Sequence, residues 1–260
     1  MLTRVITGAV LAVVAVVVVM HGGLVYFFVM LALALVGLSE LFRLMRTYRP
    51  FALAGFAAVA LMLYMAWFQT PLGVLGAVAV GAALTALLGL LAGPKPGVSA
   101  RMAVTLLGVL YLGLGFSHLL LLRRLDIGTE VVLTVIFGTW AGDTVAYFSG
   151  RFFGSTPMAP VLSPKKTWEG FAGGAIGTIL LVVFIGLYTK LGPGDSLILG
   201  AVIAVLGPLG DLFESLVKRD VQIKDSGRGL PGHGGVLDRF DALLWTSVAA
   251  YYLVTVVLRV

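Results

Sequence analysis

What most constrains this chain is how its backbone can satisfy its own hydrogen bonds across long apolar stretches. Such stretches recur at about 5–20, 24–42, 51–68, 72–92, 102–122, 131–149, 170–189, 196–217 and 241–258. Several approach or exceed the roughly 20 residues that span a bilayer. Lipid offers the backbone no hydrogen-bonding partner, so only helices or a closed barrel can cross it. The runs are continuous rather than alternating, which selects helices. The expected fold is therefore all-α, a polytopic membrane protein of about nine transmembrane helices. Composition agrees: 12% of the residues are charged, against about 25% in soluble domains.

Charge sets the expected orientation. Fourteen of the 18 Lys and Arg residues fall in connections on one side of a nine-helix chain. The other side holds Arg123, Arg124, Lys190 and Arg259. The positive-inside rule then puts the N-terminus in the cytoplasm. The first segment follows Arg4 and has no small-residue cleavage pattern after it, so it reads as a retained helix. The net charge of +6 favours anionic headgroups or phosphates as partners over nucleic acid. Cysteine is absent, which excludes disulfides, thiolate metal sites and cysteine nucleophiles.

Residues 1–100 carry little chemistry and read as an N-terminal helical scaffold or lipid-entrance region. They end in the turn-rich run Gly93-Pro94-Lys95-Pro96-Gly97, and residues 101–260 form the expected catalytic region. Glu40 has Arg43 three residues on, the spacing of an interfacial ion pair. His21 reads as a loop residue. His118 has no acid within a turn and reads as a hydrogen-bonded structural histidine.

Polar chemistry begins after residue 137. Asp143 sits inside an apolar span, where a carboxylate costs at least about 2.5 kcal/mol and is functional by default. A buried structural hydrogen bond is the alternative. Tyr147 follows at i+4. The connection Leu162-Ser-Pro-Lys-Lys-Thr-Trp-Glu-Gly170 places Lys165 and Lys166 just before a helix start. Ser163-Pro164 marks a turn there, Thr167 suits the helix cap and Glu169 its first turn. The helix beyond carries Gly170/Gly174 and Gly173/Gly177, a pattern for close helix packing.

The densest polar stretch is Asp211–Asp241, which holds six of the chain's 12 acids and five of its 18 basic residues. Asp211, Glu214, Ser215 and Lys218 share one helical face. Asp238 and Asp241, at i and i+3, open the last span. Mg²⁺ takes oxygen ligands and is usually held by one or two carboxylates plus phosphate and water. A salt-bridge network with Lys218, Arg219 and Arg239 is the alternative. Between these helix ends, Lys224, Arg228 and His233 alternate with Gly227, Gly229, Gly232, Gly234 and Gly235. Glycine amides with Lys and Arg can nest an anion. Phosphoryl or nucleotidyl transfer fits this combination; a cation-coupled transporter fits the carboxylates less well, because the polar groups gather at one face.

The residues from Ser215-x-Val217-Lys218-Arg219 through Lys224-Asp225-x-Gly227 and Leu230-Pro231-x-His233-Gly234-Gly235-Val236-x-Asp238-Arg239-Phe240-Asp241 resemble the signature of the phosphatidate cytidylyltransferases, or CDP-diacylglycerol synthases. The Trp140-Ala-Gly-Asp-Thr and Ser163–Gly170 segments resemble the same family, so the likeness covers about residues 137–241. It implies transfer of CMP from CTP to phosphatidic acid, giving CDP-diacylglycerol and pyrophosphate. It further implies Mg²⁺ with a second cation such as K⁺, and a homodimer in the inner membrane with its site facing the cytoplasm. On the matching positions Asp211 and Asp238 would ligate metal, with Asp143 and Asp241 as secondary ligands or organisers. Lys165, Lys166, Lys218, Arg219 and Lys224 would hold triphosphate or the lipid headgroup. Ser215, Arg228, His233, Gly234, Gly235 and Arg239 would complete substrate binding, His233 by positioning a phosphate. Asp143, the five Lys/Arg phosphate holders, His233 and Asp238 form the implied catalytic set. Polyprenol kinases and CDP-archaeol synthases are the neighbouring alternatives.

Overall fold

The computed structural model describes residues 2–68, 70–222 and 235–259. Among these residues, each of the nine predicted segments is helical. The helices are α1 (Leu2–His21), α2 (Gly23–Leu44), α3 (Ala52–Trp67) and α4 (Pro71–Ala92). Then come α5 (Val98–Arg123), α6 (Gly128–Phe153), α7 (Trp168–Gly186), α8 (Gly192–Asp220) and α9 (Leu237–Leu258). Among the described residues, seven of them, α2 and α4 through α9, are long and apolar enough to cross a membrane.

One departure from helix lies between α6 and α7. Strands β1 (Pro157–Ala159) and β2 (Ser163–Thr167) pair antiparallel. Ser163-Pro164, expected as a turn, is instead the start of β2, and the reversal falls at Pro160–Leu162. Proline is tolerated at the first positions of an edge strand, which is where Pro164 stands in this two-stranded hairpin.

The chain folds as two compact units, Met1–Arg124 with Asp225–Arg239 and Leu125–Lys224 with Phe240–Val260. In the first unit, Leu38, Leu41, Met62, Leu63, Leu112 and Phe116 are fully buried among α2, α3 and α5. Two arginines at the end of α5 serve as C-caps for other helices. Arg123 donates from Nε to the Val19 carbonyl at 2.6 Å and from Nη2 to Met20 at 3.4 Å. Arg124 donates to the Trp67 carbonyl and lays its guanidinium 4.7 Å from that ring. The last carbonyls of α1 and α3 lack intrahelical donors and favour a cation. His118 is buried, and its Nδ1 lies 2.8 Å from the Leu114 carbonyl, as expected of a structural histidine. His21 ends α1 rather than lying in a loop.

Glu40 does not form the expected interfacial ion pair with Arg43. It is 4% exposed, and its Oε2 accepts the Leu237 amide at 2.9 Å. The i+3 spacing made an ion pair plausible, but Arg43 faces outward while Glu40 faces the interior.

The second unit packs α6, α7 and α8 through small residues. A Cβ on Gly174 would come 2.8 Å from both Ala146 Cβ and the Gly142 carbonyl. One on Gly177 would come 2.7 Å from Val145 Cγ2. Thr178 donates across the same seam to the Gly138 carbonyl at 3.1 Å. The glycine spacing thus does what the sequence suggested: it lets two backbones approach. We expect Gly177→Leu to destabilise the protein by about 1–3 kcal/mol through overpacking, read as a lower thermal unfolding midpoint in detergent, while Gly76→Ala, in open space, leaves the midpoint unchanged.

Candidate functional site

Within the second unit a cavity of about 540 Å³ lies among α6, α7, α8 and the β-hairpin. Its walls combine two chemistries. Apolar surface comes from Phe171, Ala175, Ile203 and Ala204, and ionisable groups come from Asp143, Arg151, Lys165, Lys166 and Asp211. Local sequence explains how these side chains reach it. The hairpin turns the Lys165-Lys166 pair back over α7, whose start is capped when Thr167 accepts the Gly170 amide at 3.1 Å. Glu169, in the first turn as expected, ties down the chain before β1. Its carboxylate accepts from the Ser155 hydroxyl at 2.7 Å and from the Thr156 amide at 3.2 Å.

The central contact is Lys166 Nζ to Asp211 Oδ2 at 2.6 Å. Both side chains are about a quarter exposed, so the pair sits at the wall of the cavity with access to water. One turn further along α8, Lys218 pairs with Glu214 at 2.7 Å, and Glu214 is 2% exposed. This much of the salt-bridge alternative is present, although Asp211 is paired from the hairpin rather than from Lys218, Arg219 or Arg239. Pro208 lies inside α8, has no N–H to give the Ala204 carbonyl, and lines the cavity together with that residue.

Asp211 also meets a second carboxyl. Gly210 allows α8 and α9 to touch: a Cβ there would come 2.9 Å from Ala242 Cα. The neighbouring Asp241 is thereby brought close to Asp211 and Glu214. Its Oδ1 accepts the Ala242 amide at 2.9 Å. Two carboxyls at that range need a shared proton or a cation between them. Among the described residues, no three His, Asp or Glu side chains gather as a complete metal cage. A two-carboxylate site beside an open, cation-lined cavity nevertheless fits Mg²⁺, which fills the rest of its shell with phosphate and water.

The other expected residues distribute as follows. Asp143 is exposed on α6 and lines the cavity. Ser215 is half-buried on α8. Arg219 is exposed and donates to the Leu162 carbonyl in the hairpin turn at 3.4 Å. Asp238 accepts the Gly235 amide at 2.8 Å in the first turn of α9, and Arg239 is exposed beside it. Lys224, Arg228, His233 and Gly234, with most of the glycine-rich loop, lie outside the described residues. Two further residues on the cavity wall, Tyr147 and Arg151, lie outside the set expected from sequence. Arg151 Nη1 donates to the Tyr147 hydroxyl at 3.0 Å, and the i,i+4 spacing of a cation and a phenol was the available signal.

This arrangement of apolar wall, paired lysines and carboxylates suits a substrate with a phosphate at one end and hydrocarbon at the other. Comparison with known proteins identifies a family. The profile of the cytidylyltransferase family matches residues 2–257, and the chain belongs to that family. A phosphatidate cytidylyltransferase from Bacillus subtilis is 41% identical over 153 residues, covering 56% of this chain and 56% of the relative. The Aquifex aeolicus protein of the same name is 42% identical over 134 residues, covering 52% and 50%. One from Mycobacterium tuberculosis is 44% identical over 132 residues, covering 49% and 39%. The chain thus spans about half the length, or less, of the curated relatives it matches.

The Lys166–Asp211 contact generates a direct test. Lys166→Met and Asp211→Asn should each lower the thermal unfolding midpoint in detergent by a shift worth about 0.5–1 kcal/mol, as for a partly exposed ion pair. The double variant should lose clearly less than the two single losses combined, because the residues act through one contact. Strictly additive losses would show that they act apart.

Proposed function

We propose that this chain transfers CMP from CTP to phosphatidic acid, forming CDP-diacylglycerol and pyrophosphate. The observation that carries the reading is the Lys166–Asp211 pair on the wall of a cavity lined by both apolar side chains and charged ones, three cations and two carboxylates. Family membership and the names of the relatives support it.

In the proposed reaction a phosphatidate oxygen attacks the α-phosphorus of CTP. The bond from that phosphorus to the bridging oxygen breaks, and pyrophosphate leaves with the electron pair. Phosphatidate is already an anion, so no side chain has to remove a proton. The chain's own work is positioning and charge neutralisation, which dominate phosphoryl-group chemistry. Lys165 and Lys166 would hold phosphate oxygens, with Lys218, Arg219, Lys224 and His233 as the further holders that the resemblance implies. Lys166 also orients Asp211. Asp211 and Asp241 would hold Mg²⁺, which supplies positive charge to the phosphates when bound. The ligand roles of Asp143 and Asp238, and a second cation such as K⁺, rest on the resemblance.

The same reading takes the chain as a homodimer of the inner membrane with nine spans, a cytoplasmic N-terminus and a cytoplasmic site. Residues 1–100 would serve as scaffold and lipid entrance. The activity is tested by incubating purified protein with Mg²⁺, labelled CTP and phosphatidate. Labelled lipid and pyrophosphate should appear in equal amounts. Release of CDP instead would indicate γ-phosphate transfer and overturn the proposal. Orientation can be read with single cysteines, since the chain has none of its own. A membrane-impermeant maleimide added to intact cells should label Asp126→Cys and spare Lys95→Cys; the reverse pattern would invert the topology.

A further inference from the structure

Glu40 is the one acid in the first 125 residues of the chain, and the site described above makes no use of it. It lies near the end of α2, a helix whose only other charged side chain is Arg43, and is 4% exposed. A carboxylate so placed needs a specific compensating partner. The partner is a main-chain amide from the far end of the sequence: Leu237 N–H donates to Glu40 Oε2 at 2.9 Å, across 197 residues.

That amide belongs to the first residue of α9. The opening amides of a helix have no intrahelical acceptor, and the end of the helix carries partial positive charge. A helix usually meets this need with Ser, Thr, Asp or Asn at its own cap. Here the preceding residues are Gly235 and Val236, and neither offers a side-chain acceptor. Val236 and Leu237 are buried at 5% and 0% exposure, so water is excluded as well. Asp238 is the acid nearest in sequence, but its Oδ2 is already turned back onto the Gly235 amide at 2.8 Å. The packing is matched to this docking: a Cβ on Gly37, one turn before Glu40, would come 2.9 Å from Leu112 Cδ1 and 3.8 Å from Val236 Cγ1.

We infer that Glu40 is a positioning residue that caps the start of α9 from α2, and so leaves Asp238 in a fixed orientation at the head of that helix. Asp238 carries two jobs within one turn, the Gly235 contact and its role in the proposed reaction. Capping from α2 spares it a third, the buried Leu237 amide. The geometry stands independently of the proposed reaction; the consequence for turnover rests on that reading. What matters at Glu40 is an acceptor oxygen at the right reach, not a charge. Gln keeps both length and oxygen, Asp keeps the charge but withdraws it by one methylene, and Leu keeps the bulk without an acceptor.

The test uses full-length protein in detergent, with two readouts. The first is amide hydrogen exchange, followed by mass spectrometry on the peptides that contain Leu237. The second is CTP- and phosphatidate-dependent turnover across a Mg²⁺ titration. Glu40→Leu and Glu40→Asp should raise exchange at the start of α9 by about tenfold or more, as loss of a buried acceptor implies, while the central peptides of α7 and α8 keep wild-type exchange. In the same two variants turnover should fall by a similar factor with the Mg²⁺ requirement shifted upward. Glu40→Gln should restore both readouts to within about threefold. Wild-type exchange at Leu237 in both Asp and Leu variants would overturn the cap. Raised exchange throughout the chain in the Asp variant would reduce Glu40 to a general packing residue and overturn the positioning role. Raised exchange confined to α9, with turnover and Mg²⁺ requirement unchanged, would also overturn it. If the wild-type protein itself makes no CDP-diacylglycerol, the proposed function fails, and the exchange readout still decides the cap.

Discussion

A carboxylate inside an apolar helical protein must be met by a donor or a cation, and much of this structure follows from that requirement. Asp211 is met by Lys166 and Glu214 by Lys218. Glu40, Asp238 and Glu130 are met by main-chain amides, those of Leu237, Gly235 and Lys190. Glu169 is met by Ser155 and Thr156. Each contact also fixes an element: the hairpin against α8, the ends of α6 and α7, and the head of α9. Asp241 differs, because it is set against another carboxyl, and a like pair is what invites a cation.

The second requirement is proximity of backbones. Gly174 and Gly177 bring α6 and α7 together, and Gly210 brings α8 against α9. Removing side chains at these points gives up little hydrophobic driving force in lipid, where association depends on van der Waals fit. The contact at Gly210 has a chemical consequence, since it is what lets Asp241 reach Asp211.

Much of this was legible in sequence. The helical segments follow from length and continuity of apolar runs, and the Thr167 cap and the α6–α7 glycine seam follow from local spacing. The hairpin was less legible. Its strands are short, and Ser163-Pro164 carries a turn signal that pairing with Pro157–Ala159 overrides. For Glu40 the local i+3 spacing to Arg43 is misleading; its isolation as the one acid in the first 125 residues is the better signal. Spacing puts Tyr147 one turn after Asp143, but its bond to Arg151 depends on how both side chains turn toward the cavity.

The sequence alone determined that the chain is helical, because helix hydrogen bonds close within four residues and need no distant partner. It also determined that ionisable chemistry concentrates after residue 137, because charged residues are so sparse before it. Only the tertiary structure decided which acid meets which donor. Lys166 and Asp211 lie 45 residues apart and Glu40 and Leu237 lie 197 apart. No local spacing encodes such pairs: burial leaves Glu40 no water to turn to, whereas Lys166 and Asp211 meet at a partly exposed cavity wall because the hairpin and α8 both border it.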